Sequence, residues 1–385
     1  MKIVHMCLGC FFPDNYSYQE NMLPKFHKEL GYEVEVIASL MTFDKDGKST
    51  FLKKGVIYQN EYDIKVTRLD YKTPLKVYRK LKRYNGTIGA LEKAKPDILF
   101  IHGCQFMDID ETVKYVKSNP GVKVYVDNHA DFSNSARNWF SKNILHKMLW
   151  RYTAHIIEPY TSKFYGVLPA RVDFLEHIYN LPKDKCELLV MGADDDKVEA
   201  ANRPEIRKEI REKYGITKDD FLIMTGGKID SFKTQTLLLM EAVAKIKNPK
   251  VKLLVFGSVT PDLKERFNKL CVEEKVIYVG WVKAENSYSY LTAADLLVFP
   301  GRHSVFWEQA CGQGKPMLVK YWDGTTHVDL GGNIGFLYKD SANEIYEKIK
   351  ELTDFPEKFE AMKAVAESKG MEVFSYKKIA ERCLQ

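Results

Sequence analysis

The sequence predicts an α/β protein built of two doubly wound, Rossmann-like domains facing across a cleft. Three observations carry this. Short apolar runs alternate with helix-period stretches, the rhythm of strands and crossover helices in a parallel sheet. The rhythm stops near residues 195–220 and then restarts, dividing 385 residues into two units of ordinary domain size. Glycines, lysines and histidines gather just after the predicted strands, where such sheets bind ligands.

The elements follow in order. Lys2–Leu8 reads as the first strand. A helix over Glu20–Leu30 is closed by Gly31, and Ser17 with Glu20 makes a capping box at its start. Further strands are Glu33–Ala38, Ile98–His102, Lys123–Val126 and Cys186–Met191. The triplet Asp194, Asp195, Asp196 and the charged run Arg203–Lys213 carry no strand signal. The second series has strands at Phe221–Thr225, Val251–Phe256, Val276–Val279, Leu296–Phe299 and Met317–Lys320. Helices at Thr234–Ile246, Leu263–Glu273 and Ser287–Ala294 separate them. The expected domains are residues 1–195 and 196–373, with a late helix over 374–385 packing back on the first.

Composition narrows the class. Hydrophobic residues make up 45% and charged residues 29%, as in soluble globular proteins. No apolar run reaches the ~18–20 residues of a membrane span. The start of the chain reads as a strand and not as a signal peptide, so the expected location is cytoplasmic. Seven scattered cysteines do not form a disulfide framework. Cys7 and Cys10 have metal-ligand spacing but lack a second pair, so no metal is expected. A net charge of +6 does not argue for nucleic acid, yet residues 51–100 hold 12 Lys/Arg against 5 Asp/Glu. Within residues 71–84, Lys76, Arg79, Lys80, Lys82 and Arg83 interleave with Leu75, Val77, Tyr78 and Leu81. That pattern suits an anionic membrane surface, with the protein peripheral at the inner face, or an amphipathic helix packed on its own domain. Residues 139–152 share the aromatic and basic character.

Six motifs carry chemistry. Gly226, Gly227, Lys228 and Lys233 follow a strand; glycine admits close backbone approach, and two ammonium groups suit a diphosphate. Gly257 ends the next strand. Gly280, Trp281 and Val282 offer main chain and an apolar face to a nucleobase, although Trp281 can equally pack between helices. The loop Arg302, His303, Ser304 and Val305 leads into a helix carrying Glu308 in its first turn. Helix-terminal N–H groups suit a phosphate, and a carboxylate accepts two hydrogen bonds from a sugar diol. Near the predicted strand at Lys123–Val126, His129 and Asp131 form an acid–base candidate, with His102 as a neighbour or a buried structural histidine. Tyr18, Gln19, Glu20 and Asn21 stand at the first strand–helix junction, placed for hydroxyls or phosphates. No Walker loop and no Gly-x-Gly-x-x-Gly is present.

The order Gly-Gly-Lys-x4-Lys, Leu-Val-Phe-Gly, Val-Gly-Trp-Val, Ala-Ala-Asp-Leu-Leu-Val-Phe-Pro and then Glu308 before Ala-Cys-Gly resembles the family-4-type retaining glycosyltransferases (glycosyltransferase group 1) of the GT-B fold. The resemblance is fullest over residues 221–340. It implies transfer of a sugar from a UDP- or GDP-linked donor to a glycan or lipid-linked acceptor, without a metal. It places the donor in the C-terminal domain and His129 in the acceptor domain, and it implies polysaccharide or glycolipid assembly. The chain departs from the family pattern at residues 15–21 and 322–329, and in two places that bear on the donor site. Lys228 stands for an arginine, and the first acid of Glu-x7-Glu is missing, marking a variant subgroup. Two other readings stay open: a nucleotide-sugar epimerase of the same fold, and a catalytically silent partner of an active transferase.

Overall fold

The structure, a computed structural model, describes residues 1–44 and 48–385. It divides into two compact units, Met1–Val190 with Ile379–Gln385, and Met191–Lys378. The division falls just before the acidic triplet at 194–196, because backbone there belongs with the second unit. Ala193 N–H donates to Phe374 O at 2.7 Å, and Tyr376 N–H donates to Ala193 O at 3.1 Å. The tail is two helices, Pro356–Phe374 and Tyr376–Arg382, with Ser375 extended between them.

In the first unit, strands β1 (Lys2–Cys7), β2 (Glu33–Ala38), β5 (Ile57–Gln59), β6 (Lys65–Arg68), β7 (Ile98–His102), β8 (Lys123–Asn128), β9 (Thr161–Gly166) and β10 (Cys186–Leu188) form one sheet. Its order is β10-β9-β8-β7-β1-β2-β6-β5. A separate hairpin joins β3 (Met41–Phe43) and β4 (Ser49–Phe51). All pairings in the large sheet are parallel except that of β5 with β6. Strand order reverses between β1 and β7, and ligands bind outside the strand ends at such a point. The apolar runs of β1, β7 and β8 are buried, as expected for strands covered on both faces. Four buried polar residues interrupt them: His5, His102, Asp127 and Asn128.

The second unit has β11 (Phe221–Gly226), β12 (Val251–Phe256), β13 (Val276–Gly280), β14 (Leu296–Phe299), β15 (Met317–Lys320) and β16 (Ile334–Leu337). Every pairing is parallel and the order is β13-β12-β11-β14-β15-β16. This is the 3-2-1-4-5-6 order of a doubly wound nucleotide-binding domain, reversing between β11 and β14. Ile223, Leu253, Val255 and Val298 pack with Leu237 and Met240 of the helix Gln235–Lys245 in the core.

The basic segment at 71–84 differs from a packed amphipathic helix. Its helix spans only Leu75–Leu81, buries no residue, and stops where Lys82 turns left-handed. Leu75 and Val77 are exposed. Lys82 instead donates to the Gly9 carbonyl, and Arg83 pairs with Asp110 at 2.7 Å. Those two cations are therefore held by the protein.

Gly370 lies in the helix Pro356–Phe374, where alanine would ordinarily favour the helix by about 1 kcal/mol. Here a Cβ would sit 2.0 Å from the Cys311 carbonyl oxygen of the neighbouring helix. The clash decides the sign. Gly370→Ala is expected to lower stability by ~2 kcal/mol in denaturant titrations; a stabilised variant would refute the close packing.

Candidate functional site

In the first unit, the site gathers beyond β1, β7 and β8. The helix Gln19–Glu29 has Tyr18 and not Ser17 at its N-cap position, and the Tyr18 side chain does not cap it. The Tyr18 carbonyl instead accepts from Asn21 N–H and Met22 N–H, both at 2.9 Å. Gln19, Glu20 and Asn21 are buried while Tyr18 is exposed. Asn21 Nδ2 donates to Pro13 O at 2.9 Å. Both polar atoms of the Gln19 amide are buried without a partner. An unpaired buried polar group costs about 1–3 kcal/mol, so this amide needs a water or a ligand.

His129 follows β8, and its Nε2 lies 3.3 Å from Asp127 Oδ2 and 3.9 Å from Glu20 Oε1. Burial alone would lower its pKa; Glu20 and Asp127 outweigh that and raise it. Asp131 does not serve as its acid. Asp131 Oδ1 accepts from the amides of Ser133 and Asn134, and Oδ2 accepts from Arg171 Nε at 3.0 Å, which shapes the turn. The acid beside His129 is Asp127, fully buried and bonded to His102 Nδ1 at 2.7 Å. Burial pushes the Asp127 carboxyl up, but His102 and His129 hold it well below the usual carboxylate range.

In the second unit, the chain beyond β11, β12 and β14 carries the candidates. Gly227 and Gly257 have φ of +120° and +123°, and a Cβ on Gly257 would lie 1.8 Å from Gly227 O. The close approach these glycines permit is thus first to each other. Lys228 is exposed and 3.5 Å from Asp230. Lys233 is half-buried; burial, Lys228 and Arg302 lower its pKa, against the opposing pull of Asp230. Arg302 is therefore a third cation at this place, which the sequence reading left without a role. Trp281 is 68% exposed beside Val282, so it does not pack between helices.

Ser304 and Val305 lead directly into the helix Phe306–Gly312, their carbonyls accepting from Trp307 N–H at 2.9 Å and Gln309 N–H at 3.1 Å. Glu308 is completely buried. Its Oε1 lies 2.7 Å from His303 Nε2 and 2.8 Å from His327 Nε2, while Oε2 is buried without a partner. Burial pushes the Glu308 carboxyl up; the two imidazoles outweigh it and hold it well below the usual range. His327, nineteen positions after Glu308, had no periodic or motif signal linking it to that residue.

Among the described residues, two groups bring two imidazoles and a carboxylate within reach of one ion: His102, Asp127, His129 and His303, Glu308, His327. Ligand atoms about a tetrahedral ion with bonds of ~2.1 Å stand roughly 3.4 Å apart. The 2.7–2.8 Å spacings around Glu308 Oε1 are hydrogen-bond lengths, each filled by a proton. A depression of about 460 Å³ lined by Thr217, Lys250 and Lys275 lies at the opposite ends of β11–β13, away from these groups.

Comparison with known proteins bears on the fold. Residues 206–369 match the family model for glycosyl transferases group 1. Over 170 residues the chain is 26% identical to mannosylfructose-phosphate synthase of Agrobacterium fabrum, covering 40% of this chain and 37% of that protein. The chain spans about two fifths of the length of the curated relatives it matches. The whole chain aligns with 98% of Anabaena HepE in complex with UDP, at a TM-score of 0.69 and 14% identity. It aligns with 99% of a UDP-GlcNAc 2-epimerase from Neisseria meningitidis at 0.64 and 15%. The chain thus has the GT-B fold of these structures, and residues 206–369 are similar to glycosyl transferases group 1.

The buried Glu308 predicts an acid-sensitive second unit. Its folded pKa lies below the ordinary 4.5, so the stability it contributes is present above that value and is lost as pH falls toward the depressed one. In that window stability falls by about 1.4 kcal/mol per pH unit from this group. Denaturant midpoints measured from pH 5 to 3 should fall more steeply for the parent protein than for Glu308→Gln. Parallel profiles would count against the assignment.

Proposed function

We propose that this chain is a nucleotide-sugar glycosyltransferase, retaining and metal-independent. In the proposed reaction the bond from the anomeric carbon to the diphosphate breaks. A bond from that carbon to an acceptor hydroxyl oxygen forms on the same face, and the acceptor proton passes to the leaving phosphate. The observation that carries this reading is the grouping of Lys228 and Arg302 around Lys233, with Gly301 against Lys233 on the loop that leads to Glu308, a buried carboxylate with one free oxygen. Three cations suit a diphosphate, and Arg302 restores the guanidinium that Lys228 lacks. Glu308 Oε2 suits a ribose hydroxyl, and Trp281 with Val282 suits the base. UDP is the first donor nucleotide to test, because a protein of the same fold binds it; GDP is the second. In the first unit, His129 is the group assigned to the reacting hydroxyls, and Gln19 the group assigned to sugar or phosphate oxygens.

Calorimetry with UDP and GDP tests the donor half. Lys233→Ala, Arg302→Ala and Glu308→Ala should each weaken binding about tenfold, the worth of one charge-assisted hydrogen bond. Unchanged affinity in all three would remove the donor-site assignment. His129→Ala should bind nucleotide normally and lose transfer. Epimerisation of UDP-GlcNAc without any acceptor would instead support the epimerase reading, and binding without turnover the silent-partner reading.

The acceptor side of the proposal is a lipid-linked or polymeric glycan made at an anionic membrane surface. Leu75 and Val77 with Lys76 and Lys80 are exposed, as are Trp139, Phe140, Met148 and Tyr152 beside Lys142 and Lys147. Lys82 lies 5.8 Å from the Trp150 ring, so the two segments adjoin. Apolar side chains among lysines are the composition of an interfacial surface. Sedimentation with phosphatidylglycerol vesicles should fall when Lys76, Lys80, Lys142 and Lys147 are changed together to Gln; unchanged sedimentation would exclude electrostatic anchoring here.

A further inference from the structure

A file of buried imidazoles runs through the first unit behind Asp127. His102 donates from Nδ1 to Asp127 Oδ2 at 2.7 Å. His102 Nε2 is 3.0 Å from His5 Nδ1, and His5 Nε2 is 2.9 Å from His27 Nδ1. His27 Nε2 is 3.0 Å from the carbonyl oxygen of Ala380 in the C-terminal helix Tyr376–Arg382. All three rings are fully buried.

The proton content of this file follows from its two ends. A carbonyl oxygen and a carboxylate only accept, so the terminal nitrogens, His27 Nε2 and His102 Nδ1, each carry a proton. Each of the two ring-to-ring bonds holds one more. Four protons therefore sit on three rings, one more than three neutral imidazoles carry. Moving that extra proton from ring to ring breaks none of the bonds. The Asp127 carboxylate fixes where it rests, on His102.

We propose that His5, His27 and His102, closed off by the Ala380 carbonyl, are positioning residues that carry one permanent counter-charge for Asp127, so that His129 is free to exchange its own proton. Without that charge, a buried Asp127 would draw its cation from His129 and hold it protonated. The electrostatics agree with the bond count. Burial lowers the His102 pKa, but Asp127 outweighs it and lifts it to about 9. Burial takes His27 down to about 4, and burial with the His27 and His102 rings beside it lowers His5 well below the usual imidazole value. Other titratable groups facing this file and Asp127 are Glu20, Tyr32 and the thiols of Cys7, Cys10, Cys104 and Cys383, and Arg171 acts on His129. None of them supplies the missing cation at Asp127.

The consequence for His129 rests on its reading as the group that meets the reacting hydroxyl, whereas the charge on the file does not. The full-length protein, labelled with ¹⁵N in its nine histidines, tests both. At pH 8 one ring should show two protonated nitrogens, and this signal should vanish in His102→Gln. Nitrogen–nitrogen couplings through the hydrogen bonds should link His102 to His5 and His5 to His27. A neutral His102 at pH 8 would overturn the proposal. In His102→Gln the His129 ring should titrate at higher pH than in the parent protein, and His102→Lys should restore the parent value. An unmoved His129 titration would also overturn it. Should His102→Gln fail to fold, the couplings and the doubly protonated ring in the parent protein still decide. UDP affinity should be the same in parent and variant, so a failed donor assignment stays separable from a failed file.

Discussion

A carboxylate that leaves water must find donors, and each unit of this chain buries one at or beyond the C-terminal ends of its sheet's strands, where sheets of this kind bind ligands. Asp127 and Glu308 are both fully enclosed. Each is kept ionised by two imidazoles, His102 and His129 in one unit and His303 and His327 in the other. Leaving either carboxylate unpaired would cost several kcal/mol, a sizeable part of a domain's whole stability. The strands and loops that deliver these histidines are thereby fixed to the same place as the acid. The chemistry of both sites begins from this one requirement.

The topology explains why the requirement falls where it does. In both sheets the order reverses between a first strand and its neighbour, at β1/β7 and at β11/β14. The helices diverge there, and the space outside the strand ends is filled by loops. Asp127 leaves β8 beside the first reversal, and Arg302 and His303 leave β14 at the second. In the second unit, glycines bring the turn at 226–227 and the turn at 257 into backbone contact, a packing no side chain would allow.

Most of the frame was legible because its signal is local. Apolar runs such as Ile98–His102, Val251–Phe256 and Leu296–Phe299 are strands at the expected residues. Strand β9 escaped because Thr161, Ser162 and Lys163 open it with polar residues, and β6 because only four residues, Lys65–Arg68, make it. Of the site, the residues standing just after a strand could be read, including His129, Lys233 and Glu308. Their partners could not. Asp127 was hidden by Asp131, which is equally near His129 in sequence but is committed to its own turn and to Arg171. His327 and His5 join their clusters only through the folding of distant segments, and no spacing rule reports that.

The two carboxylate sites are built to leave opposite things free. In the second unit both imidazoles are spent on a single oxygen of Glu308, and the other oxygen stays without a partner. What remains is an acceptor, the complement of a hydroxyl that brings its own proton. In the first unit Asp127 Oδ2 takes its strong bond from His102, and His129 stands farther off at 3.3 Å, partly open to solvent. What remains there is an imidazole able to give or take a proton. Holding a nucleotide requires only a fixed acceptor, whereas moving an acceptor's proton requires a group whose charge can change. The His5–His27–His102 file makes that division possible, because it supplies Asp127 with a cation that does not have to come from His129.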